Sequence, residues 1–593
     1  MPNRASEVAV APIPIDADPR EYRLFRSLDL ENRGSVRVAD LLGVFEQVGL
    51  ATDDHRIVET LGALRGYALK DRIDFESFCA AIRPDILIVE QALQGNLVIP
   101  DFADFCSVVR SIYQNTRVQR DGSVADYIPQ LARMDPEAYG VVICTTDGQR
   151  LALGDSSVEF CVQSATKPIT YALALEEHWY DEVHRYVGRE PSGRNFNELA
   201  LTAEGKPHNP MINAGAIMCT SLIRPDLDAA DRFEYVLDRW RALCGRSRVG
   251  FNNSVYQSER QTADRNYALG YYMRENRAFP PGVNLLETLE FYFQSCSIEA
   301  NAEMMSVLAA TLANGGVCPT SGERVLKTGN VRHCLTLMSS CGMYDFSGEF
   351  AFGIGLPAKS GVSGVMVVVI PNVMGLCVWS PRVDSHGNSV RGIEFCRELV
   401  RRFNFHSYDN LTGVSEKLDP RLTRVETVAN KVDQLIWAAS KGDLGAVHRL
   451  VVRGYDQDAA DYDGRTPLHL AAAEGRDRVV HYLAENGARL SLRDRWGRTP
   501  LDDARGHGHR ELSAWLEVHG GAGAEANADA AEPKRHHRRT AVTERRGVVE
   551  LIYAAAEGDL RAIQCLVARG VQVDVADYDL RTPLHLAAAE GHE

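Results

Sequence analysis

Ser164 and Lys167 stand three residues apart in the stretch Phe160-Cys-Val-Gln-Ser-Ala-Thr-Lys-Pro168, an S-x-x-K pattern. On a helix that starts at Ser164 the two side chains lie one turn apart on one face and can touch. Pro168 is tolerated only near a helix start, which supports that placement. A serine hydroxyl is a weak nucleophile until a base takes its proton, and a lysine held neutral by burial is such a base. Free backbone N–H groups and the positive dipole end at a helix N-terminus would favour a developing oxyanion. The chemistry implied is acyl transfer. Ser and Lys are common residues, however, and an ordinary capped helix explains most S-x-x-K occurrences. A second motif, Lys359-Ser360-Gly361, follows 195 residues later (359 − 164), preceded by GLPA and followed by an apolar run.

These residues need a scaffold, and residues 99–408 read as a mixed α and β block. Residues 139–146 form a strand, Asp147-Gly148 a tight turn and residues 150–154 the returning strand. A helix is expected over 164–178, strands over 364–370 and 375–379, and a closing helix over 389–403. Hairpin strands at both ends of a helical middle predict an antiparallel sheet with a large helical insert. Serine β-lactamases and penicillin-binding proteins pair S-x-x-K with K-[ST]-G on an edge strand lining the same site. The two motifs here stand in that order.

On the N-terminal side, Leu24, Phe25 and Leu28, then Leu41, Leu42, Phe45 and Val48, repeat at helical spacing. Between them residues 29–40 resemble an EF-hand loop, with Gly34 at the bend and Val36 where a short strand would pair. Arg33 occupies a ligand position and the twelfth position is Asp40 rather than a bidentate Glu, so an EF-hand-like helical domain without metal is expected. On the C-terminal side, RTPLHLAAAEG starts at Arg465 and RTPLDDARGHG at Arg498, a shift of 33 (498 − 465). That is the ankyrin period, and T-P-L-H-x-A its signature. A third copy starts at Arg581, and residues 435–454 recur as 551–570, so the tail is a duplicated ankyrin pair. The chain ends inside a repeat, which suggests a fragment of a longer chain or an end covered by a partner.

The 593 residues exceed what one core holds. The expected division is a disordered 1–18, an EF-hand-like 19–98, the central block 99–411, a linker 412–430, ankyrin repeats 431–519, a low-complexity linker 520–546 and a truncated repeat 547–593. A formal net charge of −15 argues against nucleic acid or an anionic membrane as the main partner. Thirteen cysteines without C-x-x-C spacing fit free thiols in a reducing compartment. No signal or transit pattern opens the chain, and the apolar run 362–379 is broken by Pro371 and Asn372, so a cytoplasmic location is expected.

The central block resembles the glutaminase family over nearly its whole length. The stretches that carry the resemblance include ADYIPQL (125–131), FCVQSATKP (160–168), KPHNPMINAGAI (206–217), YQSERQTADRN (256–266), FYFQSCS (291–297), SCGMYDFSGEF (340–350) and GLPAKSGVSG (355–364). The flanks are similar to those of the long animal-type members. The resemblance implies a multidomain α+β chain with a β-lactamase-like catalytic domain, hydrolysis of L-glutamine, no cofactor and a homodimer or homotetramer. It implies Ser164 as nucleophile, Lys167 as its base, Tyr344 in proton transfer to the leaving ammonia, and the backbone N–H groups of Ser164 and Val362 as oxyanion hole. Tyr127, Gln163, Asn213, Glu259, Asn266 and Tyr292 would line the glutamine pocket. These types suit a free amino acid, whose ammonium needs an anion such as Glu259. By position alone Tyr127 and Tyr292 read as core aromatics and Glu259 as a solvated surface residue. In the animal members a flexible loop before the NPMxNAG segment couples phosphate activation and tetramer–tetramer assembly to activity. Residues 193–210 correspond to it and keep Phe196, but have Glu198 and Ala200 where those members have lysine and phenylalanine, so a weaker phosphate response is expected. The ankyrin tail would bind a protein partner. The competing readings are another amide hydrolase on the same fold, acting on β-lactams or peptidoglycan, and a silent ankyrin scaffold. The first lacks an export signal, and the second leaves the intact catalytic motifs unexplained.

Overall fold

The computed structural model describes residues 19–593 except 30–32, 52–53, 68–70, 95, 194–197, 410–416, 423, 453–454, 462, 522–541, 569–570, 572, 574–581, 591 and 593. The expected N-terminal disorder, Phe196, part of the linker 412–430, most of the linker 520–546 and Arg581 therefore lie outside the described residues, and helix Arg424–Lys441 begins within the first of these linkers. The centre is one antiparallel sheet of five strands: Gly140–Thr145 (β1), Arg150–Gly154 (β2), Ala358–Ser360 (β3), Val365–Ile370 (β4) and Met374–Trp379 (β5). Their spatial order is β2-β1-β5-β4-β3, which leaves the K-S-G strand at an edge. The sequences VMVVVI and GVVICT are rich in β-branched residues, which fit a pleated surface.

The helices that build on this sheet include Phe102–Arg117 (α1), Lys167–Glu177 (α2), Asn213–Leu222 (α3), Asn253–Gln261 (α4), Asp264–Glu275 (α5), Leu285–Cys296 (α6), Ala302–Ala313 (α7) and Val390–Arg402 (α8). Side chains alternate between the two faces of a strand. Val141, Ile143, Met366, Val368, Leu376 and Val378 pack with α1 and α8. Val142, Cys144, Val367, Val369, Cys377 and Trp379 face the helical insert. Both faces are covered, so β1, β4 and β5 are buried at every residue and show a continuous apolar run. Gly375 lets α7 lie directly on β5, because a Cβ there would stand 2.1 Å from the Ala310 nitrogen. Asn252, Asn284, Asn301 and Ser389 accept N–H groups of the first turns of α4, α6, α7 and α8 and fix where those helices begin.

The expected helix over 164–178 divides into a 3₁₀ turn, Gln163–Thr166, and α2. Pro168 has no N–H to reach the Ser164 carbonyl, which instead accepts the Lys167 N–H in the tighter pattern. In the N-terminal region strand Ser35–Arg37 pairs with Arg72–Asp74, Val36 opposite Ile73. Sequence reading named only the first loop; the second strand, in the turn before helix Phe75–Ile82, is its structural partner. In the first loop the Asp29 carboxylate accepts the N–H groups of Arg33 (2.9 Å) and Gly34 (2.8 Å).

This region is tied to the sheet at the β1–β2 hairpin. Gln149 is fully buried; its Nε2 donates to the carbonyls of Val48 (2.8 Å) and Ile99 (2.9 Å), and its Oε1 accepts the Ile99 N–H (3.0 Å). Arg56 donates to the Asp147 carbonyl (2.6 Å) while paired with the buried Asp54. In the tail, helices Pro467–Ala473 and Pro500–Gly506 open with Thr466 and Thr499. His469 and Asp502 reach back to those threonine N–H groups, so the exchange of His for Asp in the second copy keeps the capping role. Replacing Gln149 by Leu would leave three buried backbone groups unpartnered. We expect the Gln149→Leu variant to lose at least about 2 kcal/mol of stability, read as a lower thermal midpoint for the N-terminal region.

Candidate active site

Phe160–Cys161 leads directly into the 3₁₀ turn that carries Gln163 and Ser164. Gln163 adopts φ +50°, a left-handed conformation that a side chain other than glycine rarely takes. Lys167 follows one turn on, and its Nζ donates to Ser164 Oγ at 2.5 Å. Lys167 is buried, with Nζ 5.8 Å from the centre of the Tyr292 ring on α6. Desolvation brings its amine down to about 8, opposed by the nearby Cys296 and Glu259. An amine that gives up its proton near neutral pH, in contact with a hydroxyl, can take the hydroxyl proton.

Tyr344 begins the 3₁₀ turn Tyr344–Phe346 with φ +53°, the second strained residue of the site. Ser347 Oγ holds this turn by donating to the Tyr344 carbonyl (2.7 Å) and accepting the Met343 N–H (3.0 Å). The Tyr344 hydroxyl donates to the Ser360 carbonyl at 3.1 Å and is in hydrogen-bonding contact with Ser164. Burial holds its phenol far above the usual range, so it stays protonated.

The turn 361–364 joins β3 to β4. A Cβ on Gly361 would lie 2.7 Å from the Val162 carbonyl, so glycine lets the K-S-G strand close on the turn that carries Ser164. Among the described residues no protein acceptor takes the Val362 N–H. The Ser164 N–H lies in the first turn of its helix, where donors have no intrahelical partner.

Glu259 on α4 is buried. Its Oε1 accepts from Tyr127 Oη (2.6 Å) and Gln163 Nε2 (3.1 Å), and Tyr127 Oη also lies 3.1 Å from Gln163 Oε1. Desolvation raises the Glu259 carboxyl, against the lowering effect of those two donors and of Lys167. The Tyr127 ring is 46% exposed, but its hydroxyl end points inward and is desolvated. Asn213, the first residue of α3, donates to Asn266 Oδ1 on α5 at 3.0 Å, and both helices pack against α6. Direct contacts thus join Tyr127, Gln163 and Glu259, and separately Ser164, Lys167, Tyr344 and Tyr292, with the chain step from Gln163 to Ser164 linking the groups. Asn213 and Asn266 form their own pair. The site also holds two groups to which sequence reading gave no role. Cys296, one turn after Tyr292, lies against Lys167 and is bonded by the Tyr292 side chain. Lys359 is fully buried beside Tyr344. Nothing in the spacing of Cys296 marks it; Lys359 was marked only as part of a motif. Among the described residues no cluster of His, Cys, Asp and Glu could hold a metal ion.

Residues 122–408 match the family model described as Glutaminase, residues 21–100 the EF-hand domain, and residues 435–529 and 551–593 ankyrin repeats. The liver isoform of mitochondrial glutaminase from Mus musculus is 45% identical over 449 residues, which cover 75% of this chain and 75% of that one. A putative glutaminase 2 from Caenorhabditis elegans is 46% identical over 470 residues, 77% of this chain and 78% of that one. The shorter glutaminase of Trichormus variabilis is 41% identical over 321 residues and is covered over 95% of its length. With the S-x-x-K turn and the K-S-G edge strand in contact, and with relatives of this identity along three quarters of its length, the chain belongs to the glutaminase family.

Proposed function

We propose that this chain hydrolyses L-glutamine to L-glutamate and ammonia through an acyl-enzyme on Ser164. The observation that carries this reading is the 2.5 Å contact between a buried lysine amine and a serine hydroxyl, beside a buried carboxylate. Lys167 takes the Ser164 proton as Oγ bonds to the side-chain amide carbon. The N–H groups of Ser164 and Val362 receive the oxyanion. The proton passes from Lys167 through Tyr344 to the amide nitrogen, the C–N bond breaks and ammonia leaves. Water then adds to the γ-glutamyl ester, its proton returns to Ser164 Oγ, and glutamate is released. Glu259 pairs with the substrate ammonium, and Tyr127, Gln163, Asn213, Asn266 and Tyr292 serve its carboxylate and amide with neutral donors and acceptors.

The same reading extends to the flanks. Stacked ankyrin repeats offer a recognition surface for a protein, and a dimer or tetramer follows from the family likeness. Twelve of the thirteen cysteines are buried thiols, which suits a reducing compartment. Among the described residues no helix is long and apolar enough to cross a membrane.

Ammonia release from glutamine by the Ser164→Ala variant should fall on the order of 10³-fold or more, with asparagine and a chromogenic β-lactam as poor substrates of the parent. Equal turnover by the variant would exclude the acyl-enzyme. Because the free amine is the active form, kcat/KM should fall about tenfold per pH unit below pH ~8 and level off above it; a profile flat down to pH 6 would rule out Lys167 as base. Glu259→Gln should lower kcat/KM by about 10²-fold or more and narrow the preference for glutamine over an analogue lacking the α-ammonium.

A further inference from the structure

Lys359 is the side chain of this site that the acyl-transfer scheme leaves unused. It sits on the edge strand β3 opposite Val367. Its neighbour Ala358 packs on the α1 and α8 face, so Lys359 points the other way, toward the helical insert. It is buried, and its Nζ donates to the Ser360 carbonyl at 2.7 Å while lying 4.3 Å from the centre of the Tyr344 ring. The same carbonyl accepts the Tyr344 hydroxyl at 3.1 Å. Amine and phenol therefore share one anchor, and that phenol is also in contact with Ser164. Among the described residues the hydrogen-bond partner of the Lys359 amine is a neutral carbonyl, although a carboxylate is the usual partner of a buried ammonium. Glu259, the buried carboxylate of the pocket, is engaged by Tyr127 and Gln163.

We propose that Lys359 is a positioning residue that works as an uncharged amine, holding the Tyr344 ring and the Ser360 carbonyl so that the phenol faces Ser164. The proposal rests on the acyl-transfer reading above and deepens it. Two amines share a pocket with one carboxylate, and a second ammonium there would be desolvated without a counterion. Burial and the proximity of Lys167 both push the Lys359 amine well below its usual range. A neutral amine still donates to the carbonyl, which fixes its orientation. It also adds no positive charge beside Lys167, where a second cation would oppose the charge that Lys167 gains on taking the Ser164 proton. An apolar side chain of similar length would satisfy the packing, but it would leave Tyr344 as the lone side-chain donor to Ser360 and the ring without its contact.

The test compares Lys359→Met, Lys359→Gln and Ser164→Ala with the parent full-length chain, using ammonia release from glutamine, a pH series and thermal melting. For Lys359→Met we expect kcat lower by about 10- to 100-fold, KM within about twofold, an unmoved low-pH limb of kcat/KM and a melting midpoint no lower than the parent's. Lys359→Gln keeps a neutral donor without any possibility of charge, and should recover most of the lost kcat. Full kcat in Lys359→Met, with Ser164→Ala inactive, overturns this inference and leaves the acyl-enzyme standing. A low-pH limb that moves upward in Lys359→Met means a charge was removed beside Lys167, which overturns the uncharged role. A loss of kcat in step with a lower melting midpoint overturns it too, in favour of a packing role. Should Lys359→Met fail to fold, Lys359→Gln decides alone: a folded but inactive variant overturns the proposal. A parent chain inert toward glutamine, or an active Ser164→Ala, overturns the acyl-enzyme reading and this inference with it.

Discussion

The site depends on keeping the Lys167 amine out of water while it touches Ser164. A lysine in solution is protonated at neutral pH and has no lone pair to offer. Only desolvation brings this one down to about 8. That requirement explains why so much of the chain is helical insert around a short 3₁₀ turn. Helices α3, α5, α6 and α7 build one apolar cluster that reaches from the sheet to the residues flanking Ser164. The same desolvation acts on Glu259, and the donors Tyr127 and Gln163 offset it there.

Within the site, Gln163 and Tyr344 bear backbone strain, and both stand beside Ser164. Left-handed conformations of this kind cost about 1–3 kcal/mol each and persist only where the surroundings fix them. Here the fixing groups are identifiable. The Gln163 amide is tied to Glu259, and the Tyr344 turn is bonded on both sides by Ser347. The glycines work in the same direction by removing obstacles. Gly375 admits α7 to the sheet, and Gly361 brings the edge strand onto Val162.

The N-terminal region meets the central domain at the β1–β2 hairpin rather than at the site. Gln149 and Arg56 bind the EF-hand region to the β1–β2 hairpin, which lies on the far edge of the sheet from β3. The Gln163–Thr166 turn and this dock are thus held by opposite edges of one sheet.

Much of this was legible in the sequence because it rests on local rules. The apolar runs 364–370 and 375–379 identified buried strands, Ser389 a helix start, the 33-residue shift an ankyrin array, and the S-x-x-K spacing a Ser–Lys contact one turn apart. What stayed hidden was set by residues far apart in the chain. Glu259 lies in a charged run that reads as solvated surface, and only the closure of α4 against the Gln163 turn buries it. Tyr127 reads as a core aromatic, yet its ring is partly exposed and its hydroxyl turned inward. The second EF-hand strand, the pairing of Asn213 with Asn266 and the approach of Lys359 to Tyr344 carry no periodic signal. Residue type and short spacing were enough for the main strands, the closing helix, the ankyrin array and the Ser–Lys pair. The tertiary structure alone decided which ionisable groups lose their water and which partners they meet, because desolvation and hydrogen bonding depend on what the rest of the chain places around them.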